Sequence, residues 1–425
     1  MKIIKTSKDI STKIECGLNF LDYKTLFERY IKQDANLNDP FLAIKQRSQL
    51  DLNLLKLCYK KRYIGIVDYI FSLFYLKIYT VLNIPKSFFS SSLRHCKFSN
   101  EVVPGKYKAI TCTNGIARAK VNLLNEDQYY DIPLVEASKN LRVHERIGTL
   151  LIMMSYKVSS YQHAAQFFIL KKNIPKITAS LLVIEEGVDF PVQCFVFLLR
   201  PKVAKTMLTL RGPSMFAGMK YNHDSVVVNN RITYDQLAHK NSNVSIENFP
   251  PDFNIFLYKN NREKLIGYAP DISNPILSHY KKNAMDKLFF HKIKGQDVHL
   301  TIHPLDNIKD YSDYLKYKNV TLRGDENIET YFSKIDILVT WWSTLIFQAV
   351  YCGTPVIVLD LFDDGHSDHV SNLTDNFVRT VKSISELNIA INEFRNYSSD
   401  EKKLKQKNAL KNIYPMAKHS TDLFY

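Results

Sequence analysis

The chain has 425 residues, of which 45% are hydrophobic and 23% charged. That balance belongs to a folded protein of about two or three domains and excludes an intrinsically disordered chain. A net charge of +15 favours anionic partners such as nucleotides, acidic sugars or anionic lipid head groups. With no run of five or six basic residues, no zinc-finger spacing and no RRM signature, no nucleic-acid partner is expected.

From Met1 to Cys16, Lys, Asp and Glu stand where the apolar centre of a signal peptide would lie. The first hundred residues read mostly as helix, with Leu50, Leu54 and Leu57 at helical spacing. The most apolar stretch, Tyr63 to Ile84, is interrupted by Asp68 and Lys77. Each charge at a membrane centre costs roughly 2.5–3.5 kcal/mol, so this stretch is expected to be a buried or interfacial helix. Lys86, Arg94 and Lys97 follow, interleaved with Phe88 and Phe89. That pattern suits either docking on an anionic membrane surface or an ordinary loop after a core helix. The six cysteines (Cys16, Cys58, Cys96, Cys112, Cys194 and Cys352) are scattered without a C-x-x-C pair. A cytoplasmic location is therefore expected, with peripheral attachment to the inner face of the membrane as an extension of it.

The texture then turns to alternating strands and helices. Strands are predicted at Lys108–Thr113, ending in the turn signal Asn114-Gly115, and at Ile147–Met154. A helix through His163, Ala164, Phe167, Phe168 and Leu170 is stopped by Pro175 and followed by a strand at Ile177–Ile184. Further strands are predicted at Cys194–Leu199 and Val203–Leu210, and Tyr221–Pro251 reads as loops, with Pro250-Pro251 opening a linker.

The alternation restarts more clearly at Leu265–Ala269, a strand stopped by Pro270. There follow a helix at Ile276–Phe290, a strand at Val298–Ile302, a helix at Tyr311–Tyr317 and a strand at Val320–Leu322. Next come a helix at Asn327–Ser333, a strand at Ile335–Thr340, a helix at Thr344–Cys352 and a strand at Pro355–Leu361, with helix and a lysine-rich Lys402–Lys407 to finish. This alternation predicts parallel sheets covered on both faces. The expected architecture is α/β: a helical segment over 1–100, a Rossmann-like domain over 101–255 and a second Rossmann-like domain over 256–425, the two facing a central cleft. Ligands of open α/β sheets bind at the carboxyl ends of the strands, so the site should lie in loops that follow them.

Three such loops carry chemistry. After the strand that ends at Thr340 come Trp341-Trp342-Ser343-Thr344, then Gln348 and Gly353-Thr354-Pro355. Ser343 and Thr344 open a helix, where free N–H groups and hydroxyls can hold a phosphate; alternatively Ser343 only caps the helix. His303-Pro304 follows another strand of the same half, where an imidazole could donate to a phosphate oxygen or assist a leaving nucleotide. Glu185-Glu186-Gly187 ends a strand of the first half; a carboxylate there could take the proton of an acceptor hydroxyl, or simply be a solvated strand end.

In this order, Glu185-Glu186-Gly187, His303-Pro304 and Ser343-Thr344 resemble the acidic-acidic-glycine, His-Pro and Ser-Ser/Thr motifs of bacterial GT-B sialyltransferases, the polysialyltransferase type above all. The histidine lies about 117 residues past the acidic motif, and the hydroxyl pair about 40 past the histidine. Capsule Kdo transferases and teichoic acid glycerophosphotransferases share the C-terminal pattern. The resemblance covers residues 265–362 best.

It implies an inverting, metal-independent glycosyltransferase of capsule or lipopolysaccharide assembly that takes sialic acid or a related acidic sugar from a CMP-sugar donor to a glycan acceptor. Glu185 or Glu186 would be the general base and His303 would assist phosphate departure. His303, Ser343 and Thr344 would bind the donor phosphate, with Pro304 and Gln348 beside the donor. Gln348 stands where many GT-B enzymes have a ribose-binding glutamate. No cofactor or metal is expected.

Asp363-Asp364-Gly365, with His366, Asp368 and His369, is a rival acidic motif that breaks the family order and could in principle bind a metal. Asn114, Ser160, Gln162 and His163 lie near other predicted strand ends and could meet the acceptor, and Arg211-Gly212-Pro213 could border the cleft. Competing readings are a CDP-polyol phosphotransferase or a UDP- or GDP-sugar transferase of the same fold, a UDP-sugar 2-epimerase, and a non-catalytic basic binding protein.

Overall fold

The computed structural model describes residues 39–62, 64–76, 93–98, 105–112, 129–131, 134–158, 160–174, 176–185, 190–210, 221–239, 241–246, 264–270, 295–302, 308–341, 343–360 and 367–414. It begins with helix α1 (Leu42–Lys60) and helix α2 (66–76). Strand β1 (Leu93–Phe98) follows, so the first hundred residues are not helical throughout. Arg94 and Lys97 lie in that strand rather than in a loop, and it pairs antiparallel with β4 (Leu134–Lys139).

The first large sheet holds β2 (Gly105–Cys112), β3 (Tyr129–Asp131), β5 (Ile177–Glu185), β6 (Val203–Leu210), β7 (Ser225–Val228) and β8 (Val244–Ile246), all parallel, in the order β3-β2-β5-β6-β7-β8. Its helices are α3 (Val143–Tyr156), α4 (Tyr161–Lys172), α5 (Phe190–Leu199) and α6 (Arg231–Ala238).

Two predicted strands are therefore helices. Ile147–Met154 lies within α3, where Ile152 and Met153 are buried while Ile147, Leu151 and Met154 are exposed. Apolar residues on both faces hide the helical period. Cys194–Leu199 lies in α5, which is apolar almost all round and is sunk in the core; Pro191 in its first turn is a helix-start signal. The stretch expected as loops, Tyr221–Pro251, contains β7, α6 and β8.

Contacts between α3 and α4 depend on Gly148. A Cβ there would stand 2.2 Å from Phe168 Cε2. The buried Glu145 joins the same two helices, accepting from Lys172 Nζ at 3.0 Å and from the Arg142 N–H at 3.0 Å.

The second sheet holds β9 (Leu265–Ala269), β10 (Asp297–Leu300), β11 (Val320–Leu322), β12 (Ile337–Thr340), β13 (Val356–Leu359) and β14 (Val378–Val381), also all parallel, in the order β11-β10-β9-β12-β13-β14. Numbered within this half, that is 3-2-1-4-5-6, the Rossmann order. Helices α7 (Ile328–Lys334), α8 (Leu345–Tyr351), α9 (Ser367–Leu373), α10 (Ile384–Asn396) and α11 (Ser399–Ile413) accompany it. β12 and β13 are buried along their whole length, as strands covered on both faces must be. Asn327 caps α7 as its sequence position suggests, its side-chain oxygen accepting from the Thr330 N–H at 2.7 Å. The segment Tyr311–Tyr317, expected as a helix, is the end of a short 3-10 helix at Ile308–Tyr311 followed by hydrogen-bonded turns. The predicted helix over 276–290 and the Pro250-Pro251 linker lie outside the described residues.

The fold is thus α/β with two Rossmann-like parallel sheets, as expected. Each has its own core, and the cores are tied by α1. Phe41, just before α1, is fully buried in the first core against Tyr156, Phe167 and Phe190. Leu55 and Cys58, near the other end, are buried in the second, as are Ile64 and Ile232 of α6.

Candidate active site

In a doubly wound sheet the ligand crevice opens where consecutive strands switch direction along the sheet. In the second sheet β9, β10 and β11 step one way and β12 to β14 the other, so the switch falls between β9 and β12. These strands end level, with Thr340 beside Ala269. The fully buried Thr340 hydroxyl donates to the Ala269 carbonyl at 2.9 Å, holding the two strand ends together.

The chain leaves β12 through the buried Trp341 and reaches Ser343 and Thr344 at the start of α8. Ser343 is half-buried, and its Oγ accepts from the Leu345 N–H at 3.3 Å, a local turn bond. Thr344 is the N-cap residue, yet its side chain makes no capping bond and is exposed. The two hydroxyls therefore differ: that of Ser343 is partly engaged, while that of Thr344 is presented outward. Gln348 is half-buried one helical turn beyond Thr344.

Gly353-Thr354-Pro355 has a structural task. Gly353 adopts φ +70° as the residue after the C-cap. Its N–H donates to Val350 O at 3.1 Å and that of Thr354 to Ala349 O at 2.8 Å, a Schellman stop. The buried Thr354 hydroxyl donates to Phe332 O at 3.0 Å, fixing the stop against α7.

In the first sheet the switch lies between β2 and β5. Glu185 is the last residue of β5, one beyond the Cys112–Ile184 pair that ends the β2–β5 ladder. The acidic motif thus begins at the switch point of one sheet, and the hydroxyl pair follows the switch point of the other. His303-Pro304, Glu186 and Gly187 lie outside the described residues, as do Asn114, Arg211-Gly212-Pro213 and Asp363-Asp364-Gly365 with His366. Asp368 and His369 fall in α9.

Ser160 and His163 do not follow a strand, because the preceding segment is α3. Ser160 is the N-cap of α4, with Oγ 2.6 Å from His163 Nδ1. The His163 ring stands edge-on to Phe190, the first residue of α5, with ring centroids 4.8 Å apart.

Sequence reasoning missed Asp360, a buried carboxylate directly after β13 at the same sheet edge. Its signal was present: an acid closing an all-apolar strand of a parallel sheet. Among the described residues no group of three or more His, Cys, Asp or Glu is placed to hold a metal, and no helix is long and apolar enough to cross a membrane.

No protein-family model matches the sequence, and no curated protein matches it. Several solved structures align with it at low scores. The UDP-GlcNAc 2-epimerase of Methanocaldococcus jannaschii, solved with UDP-GlcNAc and UDP, aligns with a TM-score of 0.43 and 10% identity over 69% of this chain and 94% of its own. A UDP-forming α,α-trehalose-phosphate synthase from Burkholderia vietnamiensis gives 0.44 and 8%, covering 75% and 98%. The wall teichoic acid polymerase TagF gives 0.33 and 11%, covering 74% and 86%. No donor, acceptor or reaction is carried over from these alignments.

Proposed function

We propose that the chain is an inverting glycosyltransferase of the GT-B type that moves sialic acid or a related acidic sugar from a CMP-sugar to a surface glycan. The observation that supports this most is the position of two motifs. Glu185 ends β5 at one switch point, and Ser343-Thr344 follows β12 at the other.

In this reading the donor phosphate is held by the exposed Thr344 hydroxyl, by Ser343 and by His303. A glutamate of the 185–186 pair takes the acceptor proton, and Gln348 hydrogen-bonds the donor without adding charge. Departure of CMP is assisted by His303. The basic balance of the chain, +15, favours both the anionic donor and an acidic glycan acceptor.

The test is a thermal-shift panel of CMP, CDP, UDP and GDP, followed by transfer assays with the matching sugar nucleotides. A ligand at about 100 times its Kd adds roughly 2.7 kcal/mol to the folded state. A shift with CMP that weakens at least about tenfold in Thr344→Val, with unchanged melting of the free protein, supports the reading. His303→Ala should lower turnover by orders of magnitude, and Glu185→Gln with Glu186→Gln should abolish transfer while sparing CMP binding. Stabilisation by CDP, UDP or GDP instead of CMP discards the donor. Full transfer by the double glutamine variant discards the base.

A further inference from the structure

Helix α2 is apolar over most of its surface, and among the described residues only one side is packed. Tyr69, Leu73 and Leu76 pack on the second core, and Ser72 is fully buried. On the opposite side Ile66, Val67, Ile70, Phe71 and Phe74 are each 47–58% exposed. At 3.6 residues per turn these five positions fall in one arc of about 140°. A contiguous strip of large apolar side chains marks an interaction surface.

The strip has a cationic rim. The C-terminal turn of α1 leads into α2 through Lys56, Lys60, Lys61 and Arg62, all exposed. The Tyr59 ring stacks on Tyr69 at 4.4 Å and 19°, which sets that basic turn against α2. Between residues 56 and 76 there are four cations and a single acid, Asp68, a balance of +3, and Asp68 lies off the exposed arc.

We propose that the outer face of α2 and the basic turn before it dock the protein on an anionic lipid bilayer. The five apolar side chains enter the head-group boundary, and Lys56, Lys60, Lys61 and Arg62 meet the lipid phosphates. Charge selects this occupant over a second copy of the chain. A twofold contact through the strip would bring two such basic turns toward one another, and like charges across an interface are costly. It also selects α2 over α3, whose exposed Val143, Ile147, Leu151 and Met154 form another strip. The exposed cations there, Arg142 and Lys157, stand at opposite ends of the helix instead of clustering. The surface is independent of the donor assigned above, since CMP binding is read in the same protein without lipid.

The experiment is co-sedimentation of the full chain with phosphatidylcholine vesicles, with and without phosphatidylglycerol. Binding is expected only with phosphatidylglycerol and should fall as salt rises. Ile70→Ser with Phe74→Ser should lower partitioning by at least about tenfold. Lys60→Glu with Lys61→Glu should lower it by roughly fivefold or more for each residue. All four positions are exposed, so the melting temperature should stay the same in both variants.

Partitioning that ignores phosphatidylglycerol, or that both variants retain, overturns the proposal. So does a loss seen with Leu151→Ser and Met154→Ser but not with the α2 pair. A lipid-free dimer in sedimentation velocity that Phe74→Ser dissociates would assign the strip to self-association instead.

Discussion

Gly267 sits in the middle of β9, the strand that borders the proposed donor crevice, and packing has left no room for a side chain. A Cβ built there lies 2.5 Å from Ile335 Cδ1 and 2.5 Å from the Tyr331 hydroxyl oxygen. The Ile335 methyl is the end of a flexible chain and can turn away. Tyr331 cannot easily do so: it is fully buried, packs against Phe332 and His299, and lies under the Arg323 guanidinium. Overpacking of this kind costs about 1–3 kcal/mol, while replacing glycine by alanine returns about 0.4–1 kcal/mol through the unfolded chain. Gly267→Ala should therefore be destabilising by about 1–2 kcal/mol in urea denaturation. The Tyr331 hydroxyl lacks a well-formed hydrogen bond, and the Thr301 hydroxyl beside it is in the same condition. Tyr331→Phe should consequently cost little alone and should recover at least half of the Gly267→Ala loss in the double variant. A neutral Gly267→Ala, or a cost that is the same with Phe at 331, refutes the steric account.

Three further outcomes follow from other places in the fold. Gly353→Ala should lose about 1–2 kcal/mol, read from chemical denaturation, because an L side chain is strained at φ +70°. Asp336, buried before β12, accepts from Arg395 Nε at 3.1 Å and lies 3.6 Å from Lys402 Nζ, itself buried. Asp336→Ala should cost about 3 kcal/mol, since it removes the buried carboxylate that faces both cations, while Arg395 keeps Gln296 Oε1 at 3.0 Å and Lys264 O at 3.3 Å; a change under about 1 kcal/mol would contradict this. His223 is held down to about 4 by burial and, secondarily, by Arg200, against the opposing pull of Asp224. It is thus neutral in the fold at neutral pH, while the unfolded chain takes up a proton near pH 6.5. Its contribution is complete above that pH and is lost as pH falls from about 6.5 to 4, by roughly 3 kcal/mol in all. Melting curves over that range should show an acid limb that His223→Gln flattens.

How much of this was legible depends on what surrounds each segment. β12 and β13 were readable because a strand covered on both faces must be apolar throughout, and Ile337–Thr340 and Val356–Leu359 are bounded by polar or turn residues. α7 announced its start through Asn327. α3 was misread because its exposed face is as apolar as its buried one, so Val143, Ile147, Leu151 and Met154 erase the alternation that a water-facing helix would show. α5 hid for the opposite reason, being enclosed. In the stretch read as loops, Asn230 was an N-cap signal for α6, its oxygen accepting from the Thr233 N–H at 2.8 Å. For the candidate site, predicted strand ends and the order of the motifs suggested Glu185 and Ser343-Thr344. Their places at the two switch points could not be read from the sequence, because strand order is a property of tertiary pairing.

The helix that begins after Phe41 has a consequence for how the molecule comes apart. Its first turn is sealed among the aromatic rings of one core, and its last turns carry Leu55 and Cys58 into the other. A polypeptide cut near residue 255 would yield a C-terminal piece whose interior is missing Leu55, Cys58, Ile64 and Ile232, four plugs supplied from the far side of the break. The C-terminal fragment is therefore not a self-contained building block, and the N-terminal fragment, which keeps all of the first core, would expose those four side chains. The two sheets should melt as a single event, and a protease that nicks α1 should loosen both at once.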